Sequence, residues 1–174
     1  MGGHPAPIGA VQETLDAYAT YVNDRFALHG RRIEIVAFPA TGSPAADADA
    51  AVVMGAFAEI AVVELDHLAA LAERGIVGVV GGGSPFGPDL GGLDLGPHGW
   101  SLGEPVLDEP GLTFGYAAFK SVRPADEPVG YSEDVYLALH LLATGIQLAG
   151  PDLTPSSFEA GVLNMSERTG SYGR

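Results

Sequence analysis

Apolar residues Val11, Leu15, Tyr18, Val22 and Phe26 are spaced by steps of four, three, four and four. That spacing lays one stripe along a helix, and Gly30 is placed to end the helix in a left-handed cap. The residues that follow alternate. In RIEIVAF (32–38), Ile33, Ile35 and Ala37 fall on one face and Arg32, Glu34 and Val36 on the other, until Pro39 stops pairing. The pattern predicts a strand over 33–38. A helix that delivers a strand is the second half of a β-α-β unit, whose first strand belongs before Val11. MGGHPAPIGA is too short and too rich in proline to supply a convincing one.

Further along, TGSPAADADA (41–50) is small and polar and predicts a loop or a short frayed helix. AVVMGAF (51–57) is a continuous apolar run, the pattern of a strand buried on both faces of a parallel sheet. Ala58 to Arg74 predicts a helix with Ala61, Leu65, Leu68 and Ala72 inward and Gly75 as its stop. IVGVVGGGS (76–84) predicts another buried strand that breaks in three glycines. This alternation of strand and helix is that of an α/β fold with a parallel sheet.

Residues 85–111 have no period, are rich in Gly, Pro, Asp and Leu, and predict an irregular linker around Trp100. LTFGYAAFK (112–120) predicts a short helix, and 121–131 has the composition of a second linker. Val135, Leu139, Leu142 and Ile146 mark a long helix from Ser132, closed by Gly150 and Pro151. Thr154 and Pro155 predict the N-cap and first position of a last helix carrying Phe158 and Val162. The 174 residues thus predict a single α/β lobe.

Charge and composition narrow the function classes. Twenty-two acidic against eight basic residues give a net charge of −14, a balance that repels nucleic acid and anionic membrane surfaces. No apolar run approaches the roughly 20 residues a membrane span requires. MGGHPAPIGA lacks the basic start and apolar core of a signal peptide, so the expectation is a mature or trimmed chain. The absence of cysteine excludes disulfides, thiol catalysis and Cys-ligated zinc.

The five histidines, at 4, 29, 67, 98 and 140, show no metal spacing, and neither metal nor cofactor is expected. The glycines at 81–83 do not form GxGxxG, and Ser84 stands outside any GxSxG context. Asp66 and His67 are neighbours on a predicted helix and do not face each other. Glu133 and Asp134 suit the first turn of a helix, where negative charge complements the dipole. No catalytic residue is assigned and no enzymatic activity is expected.

These segments resemble, in content and order, the type 1 periplasmic solute-binding proteins of the branched-chain amino acid and amide receptor kind. The likeness lies in VQETLDAYATYVNDRFALHGRRIEIVAFPATGSPA, VVMGAFAEIAVVELDHLAALAERGIVGVVGGGS, PHGWSL with LDEPGLTFGYAAFK, YSEDVYLALHLLATGIQLAGPDLTPSSFEAGVLNM and TGSYGR, about three-quarters of the chain. The resemblance implies a three-layer, doubly wound parallel sheet forming the first lobe of such a receptor. It also implies a second lobe, and nothing between Lys120 and Tyr131 encodes one, since a lobe needs roughly 100 residues. PADEPVG stands where a lobe is deleted or where a stretch of chain is missing from this sequence.

The family's ligand residues, just after its third and fourth strands, map to Ala58 and Glu59 and to Gly82, Gly83 and Ser84. Trp100 and Tyr131 are placed to wall the crevice by stacking, and Trp100 is equally read as a plug at the sheet edge. Ala58 has no hydroxyl and Glu59 repels an anion, so an amide, an amine or a neutral apolar molecule is expected rather than an amino-acid carboxylate. The implied function is binding a small organic solute without chemistry, in the periplasm or at the cell surface, for an ABC-type uptake or sensing system with its permease as partner. The alternative is a one-lobe scaffold whose exposed apolar face drives homo-oligomerisation or binds another protein.

Overall fold

The chain's stripe of apolar residues forms helix α1, Ile8–Arg25, with Leu15, Tyr18 and Val22 buried. The computed structural model describes residues 8–60, 65–80, 99–101, 114–128 and 132–164. α1 stops at Arg25, ahead of the expected cap. The reversal comes at 28–31, where the Arg31 N–H donates to the Leu28 carbonyl at 3.1 Å. His29 (φ 55°) and Gly30 (φ 80°) are both left-handed there, the pairing of a type I′ turn. Gly30 is therefore left-handed as expected, in a reverse turn rather than a helix cap.

After this turn the chain runs back along α1 in extended form. Ile33, Ile35 and Ala37 are half-buried and Arg32, Glu34 and Val36 exposed, so the alternation is real. The expected strand over 33–38 is nevertheless corrected, because among the described residues no strand pairs with it. Side chains of α1 take the place of a ladder. The Ile33 N–H donates to Asn23 Oδ1 and Asn23 Nδ2 donates to the Ile33 carbonyl, both at 2.8 Å. Gln12 Nε2 donates to the Ile35 carbonyl at 2.7 Å, and the Ala37 N–H donates to Gln12 Oε1 at 2.8 Å.

Helix α2, Pro44–Val53, overturns the strand expected over 51–57. A short apolar run is common to buried strands and helices, and here the upstream residues decide. Ser43 stands at the N-cap with Pro44 at N1, and the small residues Ala48 and Ala51 recur at helical spacing to bury one face. Val52 and Val53, which a buried strand would enclose, are exposed. The strand instead follows as β1, Ala58–Ile60, where a helix was expected, and α3 occupies Leu65–Glu73. Then come β2, Val77–Val80, and β3, Gly99–Ser101. Helices α4 (Phe114–Val122), α5 (Ser132–Ala149) and α6 (Pro155–Leu163) match the expected elements closely. Thr154 caps α6 in a capping box with Ser157, an arrangement worth about 1 kcal/mol.

The result is a mixed α/β fold around a small parallel sheet of order β1-β2-β3, with Ala58 opposite Val77 and Val79 opposite Trp100. Alternation along β2 shows what covers each face. A Cβ on Gly78 would lie 2.4 Å from a Leu68 methyl, so that face meets α3 at close range. Val77 and Val79 point the other way, into the main core with Tyr18 and Val22 of α1 and Leu137, Leu139 and Ala143 of α5. Tyr18 anchors that core, its ring tilted against Tyr136 (5.5 Å) and edge-on to Phe119 (6.3 Å).

α6 docks on α5 through two glycines. A Cβ on Gly145 would lie 2.2 Å from the buried Phe158 ring, and one on Gly161 would lie 2.9 Å from backbone atoms of Leu148 and Ala149. Gly161→Ala is therefore expected to destabilise by about 1–3 kcal/mol, as overpacking does, read as a lower denaturant midpoint with an unchanged slope.

Burial also lowers the His140 imidazole from its ordinary 6.5 to about 4, on a face where it meets Phe26 edge-on at 4.9 Å. The unfolded chain takes up this proton as pH falls through 6.5 and the folded chain resists until about 4. Stability contributed by neutral His140 is present above 6.5 and is lost between those values. Thermal melts from pH 7 to pH 4.5 should show this decline, and His140→Phe should flatten it.

Candidate functional site

Polar side chains are scarce in the interior: among the described residues only Thr14, Asp47 and His67 are buried polar or charged groups. Two of these, Asp47 and His67, gather with a second acid, Glu59, between α2, α3 and β1: His67 bonds it and Asp47 acts on it through its charge. Glu59 lies opposite Gly78 in the ladder, so its side chain shares the face that Gly78 presents to α3. His67, in the first turns of α3, donates from Nε2 to Glu59 Oε1 at 2.9 Å. The second carboxylate oxygen, Oε2, is buried and has no hydrogen-bond partner among the described residues.

Asp47 sits in the first turn of α2 and reaches back to Thr41, accepting from its N–H (2.9 Å) and its hydroxyl (2.7 Å). Those bonds, and the positive field of His67, hold the Asp47 carboxyl below its ordinary 3.8. Glu59 behaves oppositely. Desolvation raises its carboxyl above the ordinary 4.5 and Asp47 adds to the rise, while His67 offsets part of it. Two carboxylates near one histidine are thus pushed apart. Asp47 has a full set of donors and holds a loop to a helix; Glu59 is half-satisfied and desolvated.

An oriented carboxylate with one free oxygen accepts hydrogen bonds from an N–H group. Among the described residues no group of three or more His, Cys, Asp and Glu is arranged to hold a metal ion. The opposite side of β1 carries a separate feature, a cavity of about 500 Å³ floored by Leu139, Leu142 and Ile146 of α5.

Of the site residues expected from the sequence, Ala58 and Glu59 lie within β1 rather than beyond its end. The correction follows from α2, which occupies the residues expected to form that strand. Trp100 lies in β3, its backbone opposite Val79. Gly82, Gly83, Ser84 and Tyr131 fall outside the described residues. The Glu59–His67 pairing was missed in the sequence, where the two were assigned to one helix. Its trace is the single acid inside the apolar stretch AEIAVV.

Searches of protein-family models, of curated proteins and of solved structures find no match to this chain.

Opposite signs are expected for the two acids. Asp47 stabilises the fold above its ordinary 3.8 and loses that contribution as pH falls below it, so Asp47→Asn lowers Tm at pH 7. Glu59 favours its protonated form in the folded chain, so its contribution is lost as pH rises through its raised value. Glu59→Gln, which keeps an acceptor for His67, leaves Tm at pH 7 unchanged or higher. Melting curves of both variants check this, and a large drop for Glu59→Gln would show that the carboxylate is structural.

Proposed function

We propose that this chain is a solute-binding module with no chemistry of its own: one lobe of a three-layer, doubly wound parallel α/β fold of the type 1 periplasmic solute-binding kind. It serves an extracytoplasmic uptake or sensing system of the ABC type, with a membrane permease as downstream partner. The observation that carries the reading is the unpaired, desolvated oxygen of Glu59 on a parallel strand. Open α/β sheets gather their ligands outside the carboxyl ends of such strands, and β1 ends one residue beyond Glu59. A buried carboxylate selects solutes with amine or amide donors and disfavours free carboxylates. Helices on both faces of the sheet support the fold assignment.

A second reading is a scaffold that binds another protein. Val36, Val52, Val53 and Met54 are exposed, and Val36 and Met54 border the cavity beside β1. Apolar patches of this kind mark partner surfaces. A sedimentation series separates self-association from binding a different protein.

The solute reading is tested with a panel of small amides, primary amines and amino acids, first by thermal shift and then by calorimetry. A ligand at about 100 times its Kd stabilises by about 2.7 kcal/mol. The expected result is a shift with amide or amine members that Glu59→Gln abolishes. No shift from any member, or equal binding by the variant, would overturn it.

A further inference from the structure

The smallest ligand that can satisfy a buried, unpartnered carboxylate oxygen is a proton. Glu59 offers such an oxygen among the described residues in Oε2, while its Oε1 accepts from His67 Nε2 at 2.9 Å. The Glu59 side chain as a whole is 21% exposed, so this carboxyl lies just beneath the surface rather than deep in the core. The described charged groups on the helices packed around it are Asp47 and Asp49 of α2 and Asp66, His67 and Glu73 of α3, with Arg74 just beyond; β2 brings none. Asp49 is bonded to Arg74 at 2.7 Å, and Asp66 and Glu73 are exposed. Among the described residues, the charges that act on Glu59 are those of His67 and Asp47.

The two acids hold charge on different terms. Asp47 keeps its charge, because Thr41 gives it an N–H and a hydroxyl donor. Glu59 has one donor for two oxygens, in a partly desolvated place beside that first negative charge. A second negative charge there is costly, and a proton on Oε2 removes it. Oε1 stays an acceptor for His67, so their bond survives. The protonated Oε2 is itself a donor, however, and meets an incoming N–H group donor to donor. A solute takes that place only by sending the proton to water. A neutral amide would leave Glu59 charged beside Asp47 with nothing in exchange. An alkylammonium group brings the same positive charge that the departing proton removes. One cation enters, one proton leaves, and the net charge of the cluster is unchanged.

We propose that Glu59 is an exchange site at which a primary ammonium group of a small solute competes with a proton for Oε2, so that binding releases one proton and weakens in acid. The inference rests on the solute reading of Glu59 and narrows it from amines and amides to ammonium cations. Asp47 supplies the fixed negative charge that makes the exchange favour a cation, and His67 holds Oε1 so that Oε2 is the oxygen exchanged.

The test uses the full chain with carbon-13 glutamate, methylammonium chloride and acetamide as probes, and sodium chloride at matched ionic strength as the blank. The Cδ resonance of Glu59, assigned by its loss in Glu59→Gln, is followed against pH with and without each probe. Free Glu59 is expected to titrate above 4.5, and saturating methylammonium to lower that midpoint. Methylammonium affinity, read from shift titrations at fixed pH, should fall about tenfold per pH unit below the free midpoint and level off above it. Acetamide should bind more weakly and leave the midpoint in place. Methylammonium binding that is independent of pH, or tighter binding of acetamide, overturns the exchange and leaves the solute reading standing. A free midpoint at or below 4.5 means that the chain itself supplies Oε2 with a donor, and overturns the exchange as well. Failure of both probes to bind between pH 4.5 and pH 8 overturns the exchange together with the solute reading.

Discussion

Two side-chain carboxamides, on Asn23 and Gln12, hold the extended segment 33–37 against α1, and the arrangement on both sides of β1 depends on that attachment. Each amide offers one acceptor and two donors in a plane, the same groups a neighbouring backbone would offer. Asn23 takes both polar groups of a single residue, Ile33. Gln12 bridges Ile35 and Ala37, two residues apart as in a parallel ladder, and its remaining donor bonds Asp16 at 2.8 Å. A segment whose polar groups must be satisfied is thus fixed without a strand beside it. Truncating either amide would leave a donor and an acceptor of the segment without partners, a larger loss than the net worth of the bonds themselves.

Because the helix holds one edge of the segment, the other edge, beside β1 and with α5 beneath, is unpaired among the described residues. This gives β1 two different environments. On the α3 face its only acidic residue meets His67 within reach of Asp47's field; on its free edge its peptide groups face an apolar cavity. The central helix α5 serves both, packing its Leu137 and Leu139 into the core below the sheet and flooring the cavity with Leu142 and Ile146. Its far side closes on α6 through Gly145 and Gly161, where absent side chains let the helices approach. The polar cluster and the cavity are separate features of one strand, so one can be altered without the other.

Much of the helical part was legible in the sequence. The α1 stripe, the boundaries of α5, and Thr154-Pro155 at the start of α6 carry local signals that tertiary context did not override. The failures cluster where a short apolar run decides nothing by itself. AVVMGAF suits a buried strand as well as a helix end, and the choice was made upstream by Pro44 and by the Thr41–Asp47 bonds. Once α2 took those residues, β1 moved downstream and Glu59 changed from a helix position to a strand position facing α3. The period-2 pattern of 32–38 predicts a strand, and the segment is extended but unpaired in the sheet, because period gives exposure and not pairing. That Asn23 and Gln12 would stand in for a strand was not visible, although eleven residues, about three turns, place them on one side of α1. The first strand of the β-α-β unit, expected before Val11, falls on residues 1–7, outside the described residues.

The most direct measurement is residue-by-residue amide exchange along 33–37 in the free protein. One-sided attachment requires slow exchange at Ile33 and Ala37, which donate to Asn23 and Gln12, and fast exchange at Glu34 and Val36, which have no acceptor among the described residues. That alternation at period two is the predicted result. Uniform protection from 33 to 37 would mean that a strand already occupies the open edge, and uniformly fast exchange would mean that the two carboxamides do not hold the segment; either would contradict the account.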